Sequence, residues 1–184
     1  MKKILFTLII AISFFEISAQ ETVIIPNFSG TADNNTTWKS ADSKSDFLVV
    51  YFYPAAMTGG CTKQACAYRD LKASFDKLNV NIIGISGDEV KNLQQFKETY
   101  QLNFPLISDT DGKIAKIFGV PTKNGGSLKK EINGENFLFL RGTTAERWTF
   151  ILNKKREIIY KNAQVNAVND SETVKKVIED YLKK

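Results

Sequence analysis

Histidine is absent from all 184 residues. That removes any Cys-His or Ser-His nucleophile pair and every His-ligated metal site. Cysteine is scarce as well. Cys61 and Cys66 are the only two, too few for a zinc site of four thiolates and too few for a fold that depends on disulfides. No Gly-rich phosphate loop and no dinucleotide fingerprint occurs, so no flavin or nicotinamide is expected, and neither a cofactor nor a metal is called for. No apolar run is long enough to span a bilayer. The net charge is +5, but the basic residues are scattered. The one tight basic run, Lys154-Lys155-Arg156, falls where a hairpin turn is expected, so no nucleic-acid partner is expected either.

What is present suits a single folded domain. Hydrophobic residues make up 43% and charged residues 24% of the chain, ordinary values for a globular protein. Residues 1–19 read as a secretory signal peptide: Lys2-Lys3, an apolar core from Ile4 to Phe15, and Ala19 at a plausible cleavage point. The expectation is a protein outside the cytoplasm, secreted or periplasmic, with one domain over 20–184 and no membrane attachment once the leader is gone. An uncleaved N-terminal anchor is the alternative.

Phe47 to Tyr53 is a continuous apolar run, as in a strand of a parallel sheet buried on both faces. Tyr68, Leu71, Phe75 and Leu78 follow at helical spacing. Val80 to Ile85 predicts a second strand, and Val90, Leu93, Phe96 and Tyr100 a second helix. A short strand over Phe104 to Ile107 and a short helix over Ile114 to Phe118 come next. Thr149 to Leu152 and Ile158 to Tyr160 flank the basic turn as a hairpin. A last amphipathic helix carries Val174, Val177, Ile178, Tyr181 and Leu182. The segment 121–146 reads as an insertion, opening with a loop at Pro121 to Ser127 and holding one extra strand over Asn136 to Leu140. The sum is an α/β protein, an α/β/α layered domain. Asp109-Thr110-Asp111-Gly112 opens like a calcium loop, but the twelfth position falls on Val120, so a helix-capping turn is expected instead. Trp38 and Trp148 are expected in core or half-buried packing.

The chemistry concentrates where the first strand ends. Pro54 follows it, then Thr58, Gly59, Gly60 and Cys61 at the start of a helix. With Thr58 as N-cap, its hydroxyl is expected to accept from the backbone N–H of Gly60 or Cys61. The Cys61 sulfur then lies among the unpaired N–H groups of the first turn, where a thiolate is favoured. The paired glycines let a small oxygen-rich substrate approach the backbone. In a helix, the Cα atoms of Cys61 and Cys66 stand roughly 8–9 Å apart, whereas a disulfide needs less than about 7 Å. A bond between them therefore requires the first turns to unwind. That fits a cycle in which Cys61 is oxidised to a sulfenic acid and Cys66 condenses with it. A permanent disulfide is the competing reading; closing so small a loop would stabilise little.

Pro54-x-x-x-Thr58-x-x-Cys61 resembles the active-site motif of the peroxiredoxins, the alkyl hydroperoxide reductase / thiol-specific antioxidant family. The position of Cys66 is similar to the bacterioferritin-comigratory, or Q-type, branch. The likeness continues through Ala67-Tyr68-Arg69-Asp70, Gly84-Ile85-Ser86-Gly87-Asp88, Phe104 to Asp109, Ile117 to Val120 and Arg147 to Leu152. It implies a thioredoxin-like α/β/α sandwich with a central mixed sheet, and reduction of hydrogen peroxide and organic hydroperoxides. Cys61 would be the peroxidatic thiol and Cys66 the resolving one. Thr58 would orient the peroxide and hydrogen-bond the thiolate, Pro54 would shield the pocket, and Arg147 would stabilise negative charge on sulfur and on the peroxide oxygens. Gly60, Thr58 and Arg147 would bind substrate. Arg141 is a rival for the arginine role, and an ion pair with Glu146 is the plain alternative for Arg147. The expected partners are a peroxide and a thioredoxin-like reductant, an exported one if the leader directs the chain outward. The expected assembly is a monomer or weak homodimer. Gly59 stands where branch members commonly have Pro, and 121–146 is longer than usual.

Two other functions stay open at this point. One is an extracytoplasmic thiol–disulfide oxidoreductase acting on protein disulfides, although such proteins usually carry Cys-x-x-Cys, absent here. The other is a catalytically silent binding domain of the same fold.

Overall fold

The computed structural model describes residues 22–183; the leader expected at 1–19 lies outside them. The buried run Phe47–Phe52 forms β3, an interior strand of a mixed seven-stranded sheet. It pairs in parallel with β4 (Val80–Ser86), and β4 pairs in parallel with β5 (Leu106–Ser108). On its other side β3 meets the antiparallel β8 (Trp148–Asn153), and β9 (Ile158–Asn162) forms the edge beyond. At the opposite edge lie β1 (Ser29–Ala32) and β2 (Thr37–Lys39). These two short strands carry no periodic apolar signal, and the sequence does not announce them.

Because strand side chains alternate, β3 feeds two cores. Phe47, Val49 and Tyr51 point to one side, where α1 (Gly59–Lys77), α2 (Val90–Tyr100) and α4 (Asp170–Tyr181) pack through Tyr68, Phe75, Leu93, Phe96, Val174 and Ile178. Leu48, Val50 and Phe52 point to the other side, covered by α3 (Lys113–Ile117) and by Ile25 and Phe28 of the N-terminal segment. Trp38 and Trp148 are half-buried against this second core. The expected α/β/α sandwich is present, with one helical layer much thicker than the other. Both carboxylate oxygens of Asp109 accept N–H groups at the start of α3, from Ile114 and Ala115, so the Asp-Thr-Asp-Gly segment caps a helix as expected.

The segment 121–146 corrects the sequence reading. The expected loop at its start is a strand. β6 (Thr122–Ile132) and β7 (Glu135–Ala145) form a long two-stranded ribbon. Phe139 enters the first core, and Leu128, Ile132 and Phe137 pack against it. Gly125 reads as a turn residue, but it sits in the ribbon because a Cβ there would overlap the backbone of Arg141 and Gly142. Backbone bonds from Gly142 to Gly87 and from Glu89 to Leu140 then fasten the ribbon beside the β4–α2 loop.

Candidate active site

The register of β8 on β3 positions the site. Phe52, the last residue of β3, pairs with Trp148, the first of β8. Arg147, one residue earlier, therefore stands beside the Pro54–Thr58 loop that leads into α1. In that loop Ala55, Ala56 and Met57 are buried. Met57 adopts a left-handed backbone, φ 65°, an uncommon conformation for a residue with a flexible side chain. The loop is held by the Ala56 N–H, which donates to the buried Asp88 carboxylate at 2.8 Å. Ser86 Oγ donates to the same oxygen.

Thr58 is the backbone N-cap of α1, its carbonyl accepting from the Thr62 N–H at 2.8 Å. Its side chain departs from expectation. The hydroxyl makes no capping bond, and none to the Cys61 sulfur; it donates backward to the Ala55 carbonyl at 2.9 Å. The tight turn would otherwise leave that carbonyl unpaired. With its proton committed, the hydroxyl presents only lone pairs outward.

Cys61 and Cys66 are both free thiols, and both lie within α1. Cys61 is 1% exposed, and Cys66 is half-buried. Burial pushes the Cys66 thiol above its ordinary range; Arg69 opposes the shift and Asp70 adds to it. Arg147 makes the decisive contact: Nη2 lies 3.3 Å from the Cys61 Sγ, and Nη1 donates to Gln64 Oε1 at 2.6 Å. The rival Arg141 is spent in the ribbon, donating to Thr144 Oγ1. Among the described residues Arg147 forms no ion pair with Glu146, whose carboxylate accepts from Trp148 Nε1 instead. Gly60 leaves room for the guanidinium: a Cβ there would stand 3.2 Å from Nη2. Pro54 and Arg147 border an open depression of about 400 Å³, lined also by Ala145 and Val165.

Two residues that the sequence reading missed complete the site. Gln64 is fully buried and passes the contact inward, its Nε2 donating to Asp170 Oδ2 at 2.8 Å. Tyr68 Oη and Thr149 Oγ1 donate to that same oxygen, at 2.7 and 2.8 Å. Gln64 was legible in principle, since it stands three residues after Cys61 on the helix face that also carries the buried Tyr68. A polar side chain on a buried stripe asks for partners. Asp170 carries no local signal beyond its place at a helix start. The buried hydroxyls of Tyr51, Tyr53 and Tyr68 have pKa values well above the usual phenol range, chiefly through burial. They stay protonated, so none serves as a base.

The arrangement is that of a buried thiol facing a fixed cation, on a thioredoxin-like scaffold. The comparisons with known proteins give the same class. The AhpC/TSA family model matches residues 23–161. The poplar (Populus jackii) chloroplastic peroxiredoxin Q is 36% identical over 168 residues, covering 86% of this chain and 71% of that protein. The rice (Oryza sativa subsp. japonica) peroxiredoxin Q is 38% identical over 135 residues, covering 73% of this chain. The chain spans only 55% of the rice protein's length. Among solved structures, the peroxidoxin BcpB of Mycobacterium tuberculosis superposes with a TM-score of 0.72 at 27% identity, covering 86% of this chain and 96% of that one. The bacterioferritin comigratory protein of Xanthomonas campestris, described for alkyl peroxide reduction, gives 0.68 at 25% identity, covering 84% and 91%. The chain belongs to the AhpC/TSA family of thiol-dependent peroxidases, and within it to the peroxiredoxin Q / bacterioferritin-comigratory branch.

Proposed function

We propose that this chain reduces hydrogen peroxide and organic hydroperoxides through Cys61, with Cys66 as the resolving thiol. The observation that carries the reading is the Arg147 fork, which touches the Cys61 sulfur with one nitrogen and is aimed by Gln64 through the other. The Cys61 thiolate attacks the nearer peroxide oxygen. The O–O bond breaks, the S–O bond forms, and the leaving oxygen takes a proton to depart as water or an alcohol. Sulfur is oxidised to a sulfenic acid and the peroxide is reduced. Arg147 supports this step because its charge is fixed and pre-aimed where negative charge shifts from sulfur to the leaving oxygen. Thr58 accepts the peroxide's O–H on its free lone pairs, while Pro54 limits water at the rim.

Resolution follows when Cys66 attacks the Cys61 sulfur, forming the disulfide and releasing water. Both thiols stand on one helix, roughly 8–9 Å apart at Cα, so α1 unwinds at its start first. A thioredoxin-type reductant returns the disulfide to two thiols. The leader-like residues 1–19 support an extracytoplasmic setting, secreted or periplasmic, and an exported reductant. A monomer or weak homodimer is the assembly proposed with this reading. Burial of Cys61 speaks against direct attack on a folded protein's disulfide, which disfavours the oxidoreductase alternative.

The test mixes the reduced protein with one equivalent of hydrogen peroxide and follows thiol content and intact mass over seconds. Loss of both thiols with formation of an intramolecular disulfide is expected. Consumption no faster than by free cysteine, for hydrogen peroxide and for an alkyl hydroperoxide alike, would reject the proposal.

A further inference from the structure

Gln64 lies between the two cysteines, inside the segment that must unwind before they can join. It is also the most firmly held polar side chain there. It is fully buried, accepts from Arg147 at 2.6 Å and donates to Asp170 at 2.8 Å. These partners sit on different elements, just ahead of β8 and at the first residue of α4. Neither bond survives if the backbone of residues 61–66 leaves its helical path. Building on the roles assigned above to Cys61 and Cys66, we propose that Gln64 and Asp170 are positioning residues that lock the peroxide-reactive helix, and that release of this lock sets how fast Cys66 resolves the Cys61 sulfenic acid.

The geometry also says where unwinding stops. Asp170 Oδ2 holds three donors: Gln64 Nε2, Tyr68 Oη and Thr149 Oγ1. When Gln64 departs, the other two remain, so α4 keeps its seat on β8. Tyr68, one turn beyond Gln64, stays tied to Asp170 and stacked on Tyr51 at 4.9 Å. The lock therefore gives up one charge-assisted bond to Asp170 and one to Arg147 without undocking the C-terminal helix. The free helix end, Gly59-Gly60, opens, and Tyr68 forms the stop.

A lock of this kind links two competing fates of the sulfenic acid. In one, the Cys66 thiol displaces water to form the disulfide. In the other, a second peroxide oxidises Cys61 further to a sulfinic acid, itself reduced to water or an alcohol. The first requires the lock open; the second occurs in the closed site. A tighter lock favours overoxidation, and a looser one favours the disulfide.

Two variants separate the lock from Arg147 positioning. Gln64→Met keeps the bulk but removes both bonds. Asp170→Asn keeps an acceptor oxygen for the three donors and removes the charge that strengthens them. Each reduced protein is mixed with limiting and then excess hydrogen peroxide, quenched over milliseconds to seconds, and read by intact mass for thiol, sulfenic, disulfide and sulfinic forms. Gln64→Met should slow the first oxidation about tenfold, because Arg147 loses its guide, and speed resolution about tenfold, the size of one hydrogen bond to a charged group. Asp170→Asn should slow the first oxidation less than Gln64→Met does, because the Arg147–Gln64 bond remains, and still speed resolution several-fold, with less sulfinic acid in excess peroxide. A merely structural role would not move the two steps in opposite directions. Amide exchange on the wild-type disulfide form should show protection lost over residues 62–71, whose carbonyl partners lie in the unwound stretch, and kept from Lys72 onward.

Resolution rates unchanged or slower in both variants, at melting temperatures near wild type, would overturn the lock. So would amide protection lost well past Leu71, a measurement that does not depend on either variant folding. A wild type that loses its Cys61 thiol but forms no Cys61–Cys66 disulfide would instead overturn the resolving role of Cys66, and the lock with it.

Discussion

Removing the Arg147 fork is the most direct perturbation of the site. Nη2 stands 3.3 Å from the Cys61 sulfur, and at that separation a unit charge pair interacts with about 5 kcal/mol at an effective dielectric near 20. In the proposed reaction the attacking Cys61 thiolate already shares much of that attraction, and only the part that grows as charge moves onto the peroxide oxygens speeds the reaction. Loss of one preorganised donor at a developing oxyanion typically slows a reaction by about 10²–10³-fold. Arg147→Met should therefore slow the first oxidation by a factor in that range while the fold melts near the wild-type temperature. Arg147→Lys keeps a charge but cannot reach the sulfur and Gln64 together, so an intermediate loss of about tenfold is expected. The assay is single-turnover loss of the Cys61 thiol after rapid mixing with limiting hydrogen peroxide, read by quenched alkylation and intact mass. A Met variant within about threefold of wild type would refute the electrostatic role. A Lys variant as slow as Met would show that aim, not charge, is what matters.

Cys66→Ser should keep the first oxidation within about twofold of wild type but leave Cys61 as sulfenic and then sulfinic acid, with no disulfide band by mass; full turnover with a thioredoxin-type reductant would contradict the intrahelical scheme. Gly60→Ala places a methyl 3.2 Å from Arg147 Nη2, so the guanidinium must shift by a few tenths of an ångström. The first oxidation should slow several-fold with little loss of stability, and an unchanged rate would mean the fork adjusts freely. Asp88 tests the loop clamp through pH. Burial raises its carboxyl above the usual range, against the opposing bonds from Ala56 and Ser86 and the charge of Arg141. The folded state therefore holds that proton longer than the unfolded one. This stabilising contribution is full below about pH 4, the unfolded carboxyl value, and is lost as pH rises through the folded value. Asp88→Asn keeps an oxygen for the Ala56 and Ser86 bonds, so melting temperature of variant minus wild type should climb with pH above about 4 and then level; a difference that falls with pH would reverse the assignment.

Much of the fold was legible because it is written in local periodicity. The run Phe47–Tyr53 reads as a doubly buried strand, and β3 is one. Val90 to Tyr100 reads as a helix at matching bounds, and the basic turn at 154–156 joins β8 to β9 as expected. The reading failed where the signal is not local. Gly125-Gly126 reads as a loop because glycine is rare inside strands, yet it lies in β6 where two backbones must approach closely. The strands β1 and β2 are three or four residues long and exist only because β5 offers an open edge. The Thr58 hydroxyl was assigned by capping statistics, but the carbonyl of Ala55 in the turn before it claimed the proton.

The sequence by itself determined where the two thiols stand, the loop that leads to Cys61, the helix that holds both and the five-residue step between them. All of these are relations along a contiguous stretch, so backbone preferences and helix geometry suffice to read them. Tertiary structure decided what surrounds the sulfur. Arg147 comes from 86 residues away, delivered by the β3–β8 register. Asp170 meets Gln64 across 106 residues, because α4 packs on α1. No local propensity encodes such meetings; they follow from which strands pair and which apolar faces bury together, and only the folded chain brings these groups within bonding distance.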